Sequence, residues 1–327
     1  MSPNEGATRA LLVCRVSLEA DDVISIELTE PDGRELPAWE PGAHIDLFTP
    51  SGRIRQYSLC GDPQDRARWR IAVLREDRSR GGSRELHDHP LVGRKLRVIG
   101  PRNHFPLVDA ERYLFLAGGI GVTPILPMLA AAERAGRPWS LVYGGRRLSS
   151  MAFRSEIARR RGGSVRLVPQ DTDGLPDLEA ALSEAPPGTA VYCCGPEPML
   201  QAAGAACLGH LGAAAFHLER FSEPAGPLPE ATAVAGERFA TFEVELARSG
   251  RVLTVPADKS LLRTVKEAVP TVLYSCEEGY CGTCETRVLG GLPDHRDSIL
   301  SAAEQATNTT MMICVGRSLS ERLVLDL

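Results

Sequence analysis

Three folded units in series are what this chain of 327 residues predicts: a small antiparallel β-barrel, an α/β doubly wound sheet and a mixed α+β module. Three changes of pattern carry that expectation. Short runs of alternating apolar and polar residues fill the stretch from about Leu11 to Leu107. From about Glu111 apolar strands alternate with helical segments, and past a Pro/Gly/Ala-rich stretch the pattern turns mixed around closely spaced cysteines. One core does not serve a chain of this length, so two or three domains are expected.

In the first stretch, Val23–Leu28, His44–Phe48 and Trp69–Leu74 alternate as half-buried strands do. Turn residues such as Pro31-Asp32-Gly33 and Pro50-Ser51-Gly52 separate them. Several short strands at close spacing suit a small antiparallel barrel. The second stretch opens on the apolar run Tyr113–Ala117, then Gly118-Gly119, then a helical segment ending near Gly136. Trp139–Tyr143 reads as the next strand and Ser155–Arg161 as a helix, with Val165–Val168 and Ala190–Cys194 completing the series. Such alternation means a parallel, doubly wound sheet. Tyr113–Ala132 carries no charge and is long enough to span a bilayer. Glycines 118, 119 and 121 and prolines 124 and 127 interrupt it, and a strand–loop–helix reading accounts for each.

Ser222–Pro229 has no periodicity and reads as a semi-rigid linker. Beyond it, Phe239–Leu246 and Arg251–Val255 form a hairpin pattern around Ser249-Gly250, followed by a helix over Leu261–Ala268 and a closing strand at Leu323–Leu325.

Composition narrows the function classes. The net charge of −5 is mild, with 37 Lys and Arg against 42 Asp and Glu, and no long basic run invites nucleic acid. The amino terminus lacks a basic region followed by an apolar core, so neither a secretory signal nor a membrane partner is expected. Nine cysteines, an odd number, argue for a reducing compartment, the cytoplasm, rather than a disulfide framework.

Four of those cysteines carry the sharpest signal. Cys276, Cys281 and Cys284 follow C-x4-C-x2-C and Cys314 lies thirty residues on, the plant-type 2Fe–2S spacing. Gly279 and Gly282 fall where a loop wrapping the metal needs positive φ. Structural zinc is the rival, but zinc sites pair two knuckles or mix in histidine, and His295 is not spaced as a partner. Of the other five, Cys14, Cys60, Cys193, Cys194 and Cys207, most are expected to be small buried residues.

Further motifs precede the cysteines. Arg55-Gln56-Tyr57-Ser58 closes a strand with a cation, an aromatic ring and a hydroxyl, suited to a flavin phosphate, ring and N5, or simply to a surface strand. Gly81-Gly82-Ser83 enters a short helix as a nest of N–H groups, an anion site or an ordinary capped turn. Gly118-Gly119-Ile120-Gly121-Val122-Thr123-Pro124 follows a strand and opens a helix, with Thr123 placed to cap and Pro124 at the first helical position. Cys194-Gly195-Pro196 repeats the strand–turn–helix idea, and both turns belong at the carboxyl edge of a parallel sheet, where ligands bind.

In this order the motifs resemble the phthalate dioxygenase reductase and vanillate O-demethylase reductase family over nearly the whole chain. The resemblance implies a flavin barrel over residues 1–108, an NAD domain over 109–221, a linker over 222–238 and a β-grasp ferredoxin domain over 239–327. It implies FMN rather than FAD, held by Arg55, Gln56, Tyr57 and Ser58, with Gly81, Gly82 and Ser83 at the phosphate. Gly119, Gly121, Thr123, Cys194, Gly195 and Pro196 would line the nicotinamide nucleotide, and the residues themselves add Arg146, in a pair more basic than the family commonly shows, and Asp171. Ser58, Cys194 and Phe221 would stand nearest the reacting rings, although a core phenylalanine is the plain reading of Phe221. Arg146-Arg147 could meet a 2′-phosphate and favour NADPH, whereas Asp171 and Asp173 would repel it; the balance favours NADH. The implied activity is an NADH-dependent reductase passing electrons through FMN and the 2Fe–2S cluster to a terminal Rieske-type oxygenase, a transient protein partner. The same path serving a haem-thiolate monooxygenase, and a non-enzymatic iron–sulfur carrier or redox sensor, are the alternatives. Glu277, Glu278 and Glu285 beside the cysteines offer either a docking face or a solvated loop.

Overall fold

Strands β1 (Thr8–Ala20), β2 (Val23–Thr29), β3 (Ala43–Phe48), β4 (Ile54–Ser58), β5 (Trp69–Leu74) and β6 (Lys95–Asn103) pair antiparallel in the order β4-β3-β6-β1-β2-β5. The computed structural model describes residues 8–76, 81–221 and 240–327, and its contacts divide the chain into Met1–Ser222 and Glu223–Leu327. Alternation decides what each strand buries. Leu11, Val13, Ile26, Leu28, Ile45, Leu47, Ile71 and Val98 fill the inside of the curled sheet, joined by Leu86 of α1 (Gly82–Asp88). His44 and Asp46, alternating with Ile45 and Leu47, emerge on the other face, where Asp46 is fully buried against Arg102. Edge strands β4 and β5 approach without forming a hydrogen-bonded ladder among the described residues.

The same unit continues with β7 (Arg112–Gly118), α2 (Val122–Arg134), β8 (Trp139–Gly145), α3 (Arg154–Ile157), β9 (Gly163–Pro169), α4 (Gln170–Asp173), α5 (Leu178–Ser183), β10 (Thr189–Cys194), α6 (Glu197–His210) and β11 (Phe216–Glu219). Its five strands are parallel in the order β11-β10-β7-β8-β9, so the winding reverses between β7 and β10. Both faces of the sheet are covered, which is why β7 reads as a continuous apolar run. Phe115 and Ala117 face one core, Leu114 and Leu116 the other. Val23, Cys60 and Ala72 of the barrel belong to the first of these cores, and Arg70 of β5 reaches Glu156 at 2.9 Å. Barrel and parallel sheet are thereby fused.

Two expectations need correction, the start of α2 and the length of α3, while the readings of the charge-free stretch and of the other five cysteines hold. Thr123 and Pro124 are the second and third residues of α2, whose N-cap is Gly121, so neither holds the expected position. The charge-free stretch from Tyr113 is β7, a turn and α2, and no helix among the described residues is long and apolar enough to cross a membrane. Helix α3 stops at Ile157, where Ala158 and Arg159 form a turn, so it is shorter than the expected Ser155–Arg161. Cys14 is exposed, whereas Cys60, Cys193, Cys194 and Cys207 are buried.

The second unit holds β12 (Phe242–Leu246), β13 (Arg251–Val255), α7 (Leu261–Ala268), β14 (Glu285–Gly290), β15 (Pro293–Asp294), α8 (Ala302–Thr307), β16 (Thr310–Met312), β17 (Arg317–Ser318) and β18 (Arg322–Leu325). Its main sheet runs β13-β12-β18-β14-β16, with β12 and β18 parallel and helix α7 laid across it, a β-grasp. Ser260 caps α7 by accepting from the Arg263 N–H at 3.2 Å, and Leu261, Leu262 and Val265 enter the core. The expected linker over 222–238 lies outside the described residues.

Two glycines at the winding reversal separate crowding from strain. A Cβ on Gly121 would stand 2.2 Å from the Cys194 carbonyl oxygen, whereas Gly119 has φ +54 and nothing within 4 Å. Gly121→Ala is expected to cost on the order of 3 kcal/mol and Gly119→Ala roughly 1 kcal/mol. Urea unfolding of the two variants checks the order; equal losses would overturn it.

Candidate functional site

Strand β4 delivers the first cluster of expected residues. Arg55 lies across the backbone of Gly82, where a Cβ would come within 2.8 Å of Arg55 Cγ and Nε. Its guanidinium donates to the Ile54 carbonyl at 2.7 Å, and Gly81, next to Gly82, has φ +86 with Arg53 Nη1 3.8 Å from the place a Cβ would take. Ser83 is buried there, its hydroxyl accepting from the Glu76 N–H at 3.2 Å. Arg80 lies outside the described residues. Tyr57 packs against the barrel core, and burial pushes its hydroxyl pKa up. The Gln56 amide reaches the Asp46 carboxylate at 3.5 Å, so it faces the buried ion pair as well as the strand end.

The two glycine turns meet because β7 and β10 are neighbours. A Cβ on Gly118 would stand 2.6 Å from Pro196 Cδ, and one on Gly195 would stand 3.0 Å from Gly118 Cα. These glycines, with Gly121, let two backbones touch. Gly119 alone leaves its backbone open to a ligand. The Thr123 hydroxyl is buried and donates to the Ile120 carbonyl at 2.9 Å, so it holds the turn. One strand further, the Asp171 N–H donates to the Arg146 carbonyl at 3.2 Å, which brings these exposed residues together at the carboxyl edge.

Between barrel and sheet stands a residue that the sequence reading passed over. Glu219 ends β11 in register with Cys194, and the Ser58 hydroxyl donates to its Oε2 at 3.3 Å. Glu219 keeps a partly open surface, yet its carboxyl lies deep among protein atoms. That burial, opposed by the Ser58 hydrogen bond, pushes its pKa up to about 8. Burial, then the nearby Glu219, raises the Cys194 thiol well above its ordinary range, so the expected reactive-site cysteine is neutral. His44, paired across the strands with Ser58, is buried, stacks on His104 at 5.4 Å and is held neutral by burial and by Arg102. Phe221 follows two residues after Glu219 and is 39% exposed, too open for a core residue. Leu218-Glu219-Arg220-Phe221 places a carboxylate at the end of a short apolar run but carries no sign of its burial.

In the second unit all four expected cysteines are buried and touch through sulfur, in a chain from Cys281 to Cys276, Cys314 and Cys284. Among the described residues no three or more His, Cys, Asp or Glu side chains close around a point as ligands of a single ion do. The loop supplies backbone donors instead. N–H groups of Glu278 and Tyr280 point at the Cys276 sulfur, that of Thr283 at Cys281 and that of Gly279 at Cys314. Gly279 and Gly282 have φ +75 and +73, as the wrapping loop required, and Glu277 takes φ +64 without being glycine. Buried thiols met by amide donors suit a group that spreads negative charge over several sulfurs.

Comparison with known proteins agrees with this geometry. Residues 244–318 match the family model for a 2Fe-2S iron-sulfur cluster binding domain, and residues 104–212 match that for the dimethylamine monooxygenase subunit DmmA-like N-terminal domain. The chain is 43% identical over 321 residues to the phenoxybenzoate dioxygenase subunit beta of Ectopseudomonas oleovorans, covering 97% of each. It is 39% identical to the vanillate O-demethylase oxidoreductase of Pseudomonas putida, covering 94% of this chain and 96% of that one. The solved phthalate dioxygenase reductase, described as modular for electron transfer from pyridine nucleotides to [2Fe-2S], superposes with a TM-score of 0.69 at 35% identity over 98% of each chain. An intact type IV self-sufficient cytochrome P450 monooxygenase matches with a TM-score of 0.86 at 42% identity, over 98% of this chain but only 41% of that one.

The elevated Glu219 pKa carries a sign. Because the native value of about 8 exceeds the ordinary 4.5, the native state holds the extra proton between them, and unfolding free energy falls as pH rises through that window. Stability from this group is complete below the lower value and lost above the upper. Glu219→Gln is expected to remove that slope, gaining on the wild type between about pH 5 and about pH 9 in urea midpoints. Parallel profiles would refute the assignment.

Proposed function

The chain belongs to the phthalate dioxygenase reductase and vanillate O-demethylase reductase family, and we propose that the residues gathered at its barrel–sheet joint and cysteine loop form one electron path. It is the oxidoreductase component of an oxygenase system, with FMN, a nicotinamide nucleotide and a 2Fe–2S cluster as its cofactors. When bound, these groups would supply the conversion of a two-electron hydride donor into one-electron transfer.

Each residue's part follows from the geometry above. Arg55 beside Gly81, Gly82 and Ser83 anchors the flavin phosphate, and Tyr57 offers its ring while Gln56 and Ser58 shape the polar edge. The Ser58 hydroxyl donates to Glu219 Oε2, and the Glu219 carboxyl, whose pKa burial pushes up to about 8, would keep an exchangeable proton at the flavin-facing joint. Cys194, neutral and buried, contributes shape rather than a nucleophile. Gly119 admits the nucleotide at the winding reversal, with Gly121, Gly195 and Pro196 setting its wall and Thr123 stiffening the turn. Asp171 beside Arg146 accepts from ribose hydroxyls and disfavours a 2′-phosphate, so NADH is preferred to NADPH. Phe221 covers the flavin face. Cys276, Cys281, Cys284 and Cys314 hold the iron.

The single observation that carries the reading is the Ser58–Glu219 hydrogen bond of 3.3 Å, which joins the flavin-strand end to the carboxyl edge of the nucleotide sheet. The recipient is a Rieske-type terminal oxygenase that docks transiently. All of the net charge of −5 falls in residues 223–327, where Asp and Glu number fifteen against ten Lys and Arg. Glu277, Glu278 and Glu285 therefore suit a basic docking face on the partner. The reading places the protein in the cytoplasm, consistent with nine free cysteines. The likeness to a self-sufficient P450 favours a second reading, in which a haem-thiolate monooxygenase takes the electrons.

Anaerobic NADH is expected to bleach flavin and cluster absorbance together, more efficiently than NADPH; no bleaching would end the proposal. Turnover with purified Rieske and haem-thiolate oxygenases separates the two recipients. Arg55→Ala is expected to weaken FMN retention roughly tenfold or more, read by flavin content after gel filtration, while Cys276→Ser loses cluster absorbance and keeps flavin. Unchanged flavin content in the first variant would remove Arg55 from the phosphate.

A further inference from the structure

At the edge of the parallel sheet opposite the glycine turns, a cavity of about 730 Å³ opens among Arg137, Arg159, Arg160, Arg161, Glu133 and Glu156. The turns entering β8 and β9 complete it through Gly136, Pro138 and Gly162. Parallel strands place all their amino ends together, so this cavity is separated from the nucleotide turns by the length of the sheet.

Both carboxylates in the cavity are already committed. Glu133 accepts from the Arg160 guanidinium at 3.2 Å and from the Arg161 N–H at 2.6 Å. Glu156 accepts from Arg160 at 3.2 Å and from Arg70 of the barrel at 2.9 Å. Arg160 is therefore a fixed wall. The guanidinium groups of Arg159 and Arg161 meet no protein acceptor among the described residues, and Arg137 meets Asp109, whose side chain is 86% exposed. Gly136 and Gly162, at φ +63 and +88, have nothing within 4 Å of the place a Cβ would take, which keeps the mouth open.

We propose that this cavity binds an anion of the diphosphate class, free or carried by a nucleotide, apart from the coenzyme site. Four guanidinium groups against two glutamates leave an excess of positive charge. Guanidinium forks pair bidentately with phosphate oxygens, and the volume lies within the roughly 300–1,000 Å³ of small-molecule sites. A single carboxylate ligand would leave part of that excess unmet. Glu156 gives the site its connection: it is shared between the cavity wall and Arg70, which also donates to the Cys60 carbonyl at 2.6 Å.

The test uses the FMN- and cluster-loaded protein saturated with NAD+. Calorimetric titration with inorganic pyrophosphate is expected to show one site, with ADP in a second arm; tighter binding of ADP assigns a nucleotide, equal binding a free diphosphate. The Arg159→Gln/Arg161→Gln double variant is expected to bind roughly tenfold or more weakly, with flavin and cluster spectra unchanged as proof of folding. Absence of binding, equal affinity in the double variant, or binding seen only without NAD+ would each overturn the proposal, the last by assigning the anion to the coenzyme site.

Discussion

The hydrogen bond between Ser58 and Glu219 exists because a barrel and a parallel sheet share one apolar core. Val23, Cys60 and Ala72 leave the barrel's own interior and pack with Phe115, Val122 and Tyr192 of the sheet. Non-directional burial holds the two halves together, while directional contacts set how they meet. Arg70 to Glu156 is one such contact, and the Asp21 N–H donating to the Ser149 carbonyl at 3.0 Å is another. Hydride transfer tolerates little error in distance, and a joint closed by core packing suits that demand better than two domains joined by a tether.

Glycine at the winding reversal serves two physical ends that look alike in a sequence. Gly118, Gly121 and Gly195 are needed for closeness of chain to chain, and Gly119 for the open backbone. A motif read as a ligand-binding turn thus also brings two turns into contact. Thr123, expected as a cap, closes the turn through Ile120 instead, because the helix begins a residue before it.

What could be read in advance follows the range of the forces involved. Period-two alternation and covered strands are local signals, so β2, β3, β5, β7, β8 and β10 were legible, as were α2 and α7. Cysteine spacing was legible because cluster ligation fixes it chemically. Strand β6 escaped because its alternation, Lys95 and Arg97 out with Leu96 and Val98 in, is short and breaks at Gly100-Pro101, and β11 because four residues carry no period. Glu219 escaped for a different reason. Its character is given by burial among residues distant in the chain, and nothing in Leu218-Glu219-Arg220 distinguishes a raised carboxyl from a surface one.

The two units treat charge in opposite ways, and the difference suits their tasks. At the barrel–sheet joint burial pushes four titratable groups toward their neutral forms: His44 down, and Tyr57, Cys194 and Glu219 up. The charges that remain there are paired, Asp46 with Arg102 and Glu156 with Arg70, so neither carboxylate stands alone where water is scarce. The cysteine loop instead gathers four sulfurs that must all be thiolates when they bind iron. It offsets that negative charge with amides from Glu278, Gly279, Tyr280 and Thr283 rather than with cationic side chains. Amide dipoles steady the thiolates without cancelling the acidic surface around them. A unit with net charge −5 can thus keep an anionic face toward a partner while its interior accepts one more electron.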